Sequence, residues 1–391
     1  MGTSVLHIKT EVECRVYLFD EEKGIAKPGT FFNLEVRKGE QDLLFVSTED
    51  ETARYKLSYN IEESNTDYRL IIEEYLIRNI ATKPSEEEIA MGIEDEFGVV
   101  YSRDGQHLLK CNNKKLKDYV VLDCCKVIRA YAFGGDPFDS FSLSSITLPN
   151  SLTHLGENVF AYCNSLSTII LPDSLTYIGD CAFSGCYNLS SVNLPNSLRH
   201  VGDGIFADCF KLSFVNLPAN LTTIGNNTFR SCRNLLSINL PDNLTRIGSY
   251  AFQYCSRLTS INLPSSLKHI GIDAFSGCKS LTVVNLPDGL TCINWDTFSY
   301  CEKLHTITFP ANLTDIGAHA FCNCSALTRI KLPERLTHIG GGAFLKCVRL
   351  TTLTLPSSLT DIEDNSLADC DSLSHIYISA GMRAHFEKII A

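Results

Sequence analysis

The sequence predicts a β-rich α+β protein. A solenoid of about eleven stacked 23-residue coils carries one parallel sheet and follows a small antiparallel β-sandwich. Three observations predict it. Ten prolines, Pro149, Pro172, Pro195, Pro218, Pro241, Pro264, Pro287, Pro310, Pro333 and Pro356, recur every 23 residues. Ten cysteines from Cys163 to Cys370 keep the same step, and so do nine phenylalanines from Phe160 to Phe344, with Leu367 in the tenth place. A fixed period in this range is the signature of a solenoid.

Residues 1–75 read as the sandwich. Alternating apolar residues appear in Val5–Lys9, Cys14–Phe19, Phe32–Arg37, Asp42–Val46 and Tyr68–Ile72, divided by turn-rich pieces such as Glu22–Gly29. Residues 76–96 read as a helical connector, in which Pro84 and Ser85 open a glutamate-rich stretch. Residues 97–126 hold a hairpin whose Asp104-Gly105 pair suits a two-residue turn, and this hairpin is expected to cap the first coil. The coils occupy 127–378, the first carrying a four-residue insertion around Pro137, and 379–391 close the far end.

Roles within one coil follow from spacing. Leu166, Ile169 and Leu171 are expected to point inward from a short strand, with Thr168 and Ile170 outward. Pro172 ends the strand because it lacks an N–H. Leu175 and Ile178 make a second inward pair, Gly179 allows a bend, and Ala182 and Phe183 fill the far wall.

Composition limits the function classes. Net charge is −11, and residues 1–126 hold 17 Lys and Arg against 25 Asp and Glu. No basic stripe is present to bind nucleic acid, and no run of about 18 apolar residues spans a membrane. The N-terminus lacks the order of a secretory signal, which fits either a cytosolic protein or a mature form whose leader has been removed. The 17 cysteines, an odd number, read as mostly buried free thiols and favour a reducing compartment over complete disulfide pairing. His154, His200, His269 and His338 share a column two or three coils apart, roughly 10–14 Å, too far to hold one metal together, and read as surface histidines. Asn220-Leu221-Thr222, Asn243-Leu244-Thr245 and Asn312-Leu313-Thr314 match the glycosylation sequon as by-products of the repeat. Asn193, Asn216, Asn239, Asn262 and Asn285 suggest an amide ladder. No nucleophile–base motif, phosphate loop or H-E-x-x-H is present, so no catalytic, cofactor or metal residue is assigned and the chain reads as non-enzymatic.

Bulky departures from the repeat are the candidate partner-binding residues: Trp295, Tyr300, Tyr254, Phe214 and Tyr162. The unit LPxSLTxIGxxAFxxCxxLxxIxLP resembles the BspA-like leucine-rich repeats over residues 127–378. Asn294 and Glu363 depart from it at the bend glycine, as does Leu367 at the Phe. The segment GIAKPGTFFNLEVRKGEQDLLFVS is similar to PEGA-type β-modules, with a generic β-sandwich as the alternative. The repeat resemblance implies protein partners, host extracellular or bacterial, and a surface or secreted adhesin-type role. The alternatives are an intracellular, cytoplasmic scaffold and, last, an enzyme with a site between the N-terminal module and the solenoid.

Overall fold

The computed structural model describes residues 3–10, 13–18, 21–28, 30–37, 39–48, 54–61, 67–72 and 81–378. The expected terminal segment 379–391 and the first part of the helical connector, 76–80, lie outside them. The chain divides into two units, Met1–Thr82 and Lys83–Ala391.

In the first unit, β1 (Thr3–Thr10), β4 (Phe31–Arg37) and β7 (Asp67–Ile72) form one sheet in the order β4-β1-β7. A second sheet has the order β3-β2-β5-β6, from β2 (Cys14–Leu18), β3 (Glu21–Ala26), β5 (Gly39–Ser47) and β6 (Arg54–Ile61). Every second residue is buried: Leu6 and Ile8, Cys14 and Val16, Leu34 and Val36, Leu43 and Phe45 make one core. Two features depart from the expected pattern. The β1–β7 pair is parallel, and β3 lies in a stretch read as turn. In β3 the β2 pairing shifts register near Gly24, whose φ of +141° and close approach to the Phe32 ring exclude a side chain. A bulge of this kind breaks the alternation by which strands are recognised.

The second unit opens with α1 (Glu86–Met91). Ser85 and Glu88 form a reciprocal capping box: the Glu88 N–H donates to Ser85 Oγ (3.1 Å) and the Ser85 N–H to Glu88 Oε2 (2.6 Å). Glu88 also accepts from the buried guanidinium of Arg129 at 3.1 Å, which ties the helix to the first coil. Burial alone would raise the Glu88 carboxyl, but the Ser85 backbone and Arg129 bonds hold it below its ordinary value.

Then come β8 (Ile93–Glu94), β9 (Val99–Tyr101) and β10 (His107–Cys111). The β9–β10 connection is longer than a two-residue turn. Of Asp104 and Gly105, Gly105 alone has positive φ (+69°), while the Asp104 carboxylate accepts from Ser102 Oγ and the Gln106 N–H. β10 does more than cap. It pairs in parallel with β12 (Val127–Ile128), and β11 (Asp118–Val120) pairs in parallel with β13 (Ser145–Thr147). The solenoid therefore has about twelve turns, one more than the period alone counts.

The coils lay short strand segments into two separate parallel sheets where the spacing predicts one, and not every coil contributes a strand to both. The column of Tyr177–Ile178 is the more continuous, in runs of seven, three and four strands, the first of them beginning with the β8–β9–β10 strands. The column of Ser191–Asn193 breaks into shorter runs. Leu166, Ile169, Leu171, Leu175, Ile178, Ala182 and Phe183 are all buried and Ile170 is exposed, as the spacing requires. Phenylalanines 133 to 344 stack ring on ring through the far wall, centroids 5.2–5.8 Å apart.

Candidate protein-binding surface

Beside the phenylalanine stack, each coil from that of Phe160 onward turns through the segment around its core phenylalanine or Leu367, and two residues four apart adopt left-handed backbone. Cys181 and Gly185 do so in one coil, Tyr250 and Tyr254 in another, and Asp296 and Tyr300 in a third. For residues with a Cβ this conformation costs about 1–2 kcal/mol each. What holds it is a ladder between coils. The N–H groups of Tyr250, Phe252 and Tyr254 donate to the carbonyls of Ile272, Ala274 and Ser276 at 2.8–2.9 Å, and the pattern repeats along the solenoid. The edge is a rigid backbone face on which large side chains can stand outward.

Three of the five sequence candidates stand on this face together. Tyr254 and Tyr300 occupy the same column two coils apart, 47% and 49% exposed, with Gly277 between them. A Cβ on Gly277 would lie 2.5 Å from the Tyr254 ring, so that ring leans across the glycine toward the coil of Tyr300. Trp295, 62% exposed, shares a column with Ile272 and leans over Gly317. Tyr250 and Ile272 complete the patch, both exposed and both missed from the sequence because neither breaks the repeat conspicuously. Among these rings sit Asp273 and Asp296. Burial, helped by the carboxylate of Asp273, pushes the Asp296 carboxyl above its ordinary value, and Gln253 Nε2 anchors Asp273 at 3.0 Å. The patch thus offers aromatic area with an acidic centre, which suits a partner presenting apolar and basic side chains.

Of the other two candidates, Phe214 lies off this edge, and Tyr162 stands on it in the Tyr254 column but four coils earlier. Phe214 is 55% exposed on the strand Phe214–Asn216, in the column of Ser191. Tyr162 leans over Gly185 and meets Tyr187 edge-on; Tyr187 stacks on Phe210 at 4.8 Å, and the Arg233 guanidinium covers Phe210. Phe138, fully exposed, tips the insertion in the first coil, where Asp136 Oδ1 accepts from the Phe138 and Asp139 N–H groups. An aromatic on an insertion into a regular repeat is a readable signal, and sequence reasoning passed over it.

All 17 cysteines are free. Each column thiol, from Cys163 to Cys370, lies 3.1–3.4 Å from the carbonyl of a phenylalanine in the preceding coil and donates to it. A small apolar side chain with a weak donor fits that place. Burial pushes these thiols up, Cys186 to about 12. The asparagine column makes no amide ladder among the described residues; in that column Asn285 Oδ1 accepts from the Thr308 hydroxyl. Serine and threonine hydroxyls bond coil to coil instead, as Thr314 Oγ1 to the Thr291 carbonyl and Thr337 Oγ1 to that of Thr314. Nor are all the column histidines on the surface. His154 and His200 are half-buried on either side of Tyr177, ring centroids 5.5 and 4.7 Å away. Burial pulls the His154 imidazole down to about 4. Among the described residues, no helix is long and apolar enough to cross a membrane. His338, Asp361 and Glu363 are the one set of histidine, cysteine and carboxylate groups there close enough to share an ion.

Short parallel strands stacked coil on coil around columns of leucine, isoleucine and phenylalanine define a leucine-rich-repeat solenoid. The chain belongs to the BspA type leucine-rich repeat family, whose model matches residues 126–259 and 245–374 in six copies. Such repeats are protein-interaction scaffolds. The chain is similar in fold to the pneumococcal vaccine antigen PcpA, at 20% identity and a TM-score of 0.52, over 74% of this chain and 88% of that one. A leucine rich cell surface protein of Faecalibacterium prausnitzii is 23% identical over 76% of this chain and 97% of its own, with a TM-score of 0.47. A leucine-rich repeat protein of T. pallidum is 32% identical over 41% of this chain and 78% of its own, with a TM-score of 0.39. No curated protein matches the chain.

Proposed function

We propose that the solenoid is the protein-binding part of a bacterial cell-surface or secreted adhesin-type protein and acts without catalysis. The observation that carries this reading is the aromatic edge: Tyr250, Tyr254, Ile272, Trp295 and Tyr300 held outward on a backbone locked by the inter-coil ladder. Family membership supports protein partners, and the similar F. prausnitzii protein is itself described as a cell surface protein. The mechanism is rigid display. Because the coils fix the face in advance, association orders few groups, and the large aromatics supply contact area at low entropic cost.

A second reading, an intracellular scaffold, is favoured by the column of thiols that hydrogen-bond to carbonyls instead of pairing. Protease treatment of intact producing cells separates the two. Solenoid peptides released before those of a cytosolic control protein are expected for the surface reading. Complete protection until lysis would overturn it in favour of the scaffold.

A further inference from the structure

The last complete bend departs from the repeat. Where most coils carry glycine, as at Gly317 and Gly340, this one carries Glu363. Its neighbours make the departure more than a tolerated substitution. Asp361 pairs with His338 in strand register, one coil apart, so their side chains share a column. The residue of the preceding coil in the Glu363 column is Gly340, which offers no side chain to compete for the space. The Gly341 N–H donates to Glu363 Oε2 at 2.7 Å and so fixes the carboxylate, leaving Oε1 3.7 Å from His338 Nε2. Asp361 Oδ2 lies 2.9 Å from His338 Nδ1. One donor atom from each of the three side chains falls within 4.8 Å of the others. All three remain accessible to solvent, and among the described residues no lysine or arginine pairs with either carboxylate.

We infer that His338, Asp361 and Glu363 form a binding site for a divalent transition-metal ion of the zinc class, joining the last two coils. Imidazole nitrogen with carboxylate oxygen is a donor set zinc accepts, whereas calcium and magnesium take oxygen. Three protein ligands leave one position open to solvent. The backbone N–H on Glu363 acts as the outer-shell bond that orients a ligating carboxylate. The competing arrangement is an imidazolium clamped between two carboxylates with no ion.

The test uses the full chain, stripped with chelator and kept reduced, and titrated with Co2+ and then Zn2+ against Glu363→Gln and Asp361→Asn. The expected result is a weak visible Co2+ spectrum without thiolate charge transfer, displaced by Zn2+, with affinity lowered about tenfold or more in each variant. Zn2+ at a hundred times its Kd should slow amide exchange in residues 338–363 by roughly a hundredfold, provided local opening releases the ion. Glu363→Gly, which restores the residue most other bends carry, serves if the glutamine variant fails to fold. No binding above the level of the variants, equal affinity in wild type and Glu363→Gln, or a thiolate spectrum would each overturn the site.

Discussion

Acidification should loosen the first coils before the last, and His154 is the reason. Its Nδ1 contacts Thr153 Oγ1 at 2.9 Å, its ring lies on Tyr177, and its Nε2 is buried with no hydrogen-bond partner. Burial, with a smaller contribution from His107, pulls its pKa from 6.5 to about 4. A depressed histidine pKa means the unfolded chain takes up the proton first. Stability is therefore intact above about pH 6.5 and is lost as pH falls toward 4. A shift of roughly 2.5 units at 1.36 kcal/mol per unit is worth about 3 kcal/mol. Native-state hydrogen exchange at pH 7.5 and 4.5, with intrinsic rates corrected, reads this as the opening free energy of peptides covering 150–180. Peptides from the histidine-free coil near 235 serve as the internal control. His154→Phe keeps a ring on Tyr177 and removes the titration, so its opening energy should fall by about 2 kcal/mol less than that of wild type. Equal pH dependence in the two proteins would refute the assignment.

Two further outcomes follow from the coil geometry. Under native conditions at pH 8 the column thiols should resist a disulfide-exchange reagent, while the exposed Cys124 reacts at once and denaturant releases the rest; rapid native labelling of Cys255 or Cys278 would contradict their burial. Gly277→Ala meets both a positive φ of 72° and the Tyr254 ring, and should destabilise the chain by about 1–2 kcal/mol in urea unfolding. Part of that loss should disappear in the Tyr254→Ala background, and strict additivity would show that the ring does not rest on the glycine.

The coil was legible because one residue column maps to one wall of the core. Leu175, Ile178, Phe183 and Cys186 could be placed from spacing alone, and all four are buried. The edge was less legible for a conformational reason. Positive φ is ordinarily a sign of glycine or asparagine, yet Tyr250, Tyr254, Tyr300 and Cys181 adopt it because the inter-coil ladder outweighs their local preference. Nothing in the one-dimensional pattern reveals that. Trp295, Tyr254 and Tyr300 stood out as departures, but Tyr250 and Ile272 joined them only once the coils were stacked. Histidine burial was hidden similarly: His154 and His200 sit in the same column as exposed Arg246, and Tyr177 between them encloses both. The role of β10 as a first rung was masked because its coil lacks the proline, the phenylalanine and the regular spacing. Glu363 was visible as a departure; its convergence with His338 required the strand register.

The measurement that tests the account most directly is site-specific photo-crosslinking in producing cells. A photoreactive phenylalanine analogue is placed at Trp295, at Tyr300 and, as a control away from that edge, at Thr354 on the strand Thr352–Thr354. The account predicts discrete protein adducts from positions 295 and 300 and none from 354, with Trp295→Ala and Tyr300→Ala weakening that partner while thermal stability holds. Adducts from 354 alone, or a collapse of stability in the alanine variants, would contradict the placement of the binding surface on the aromatic edge.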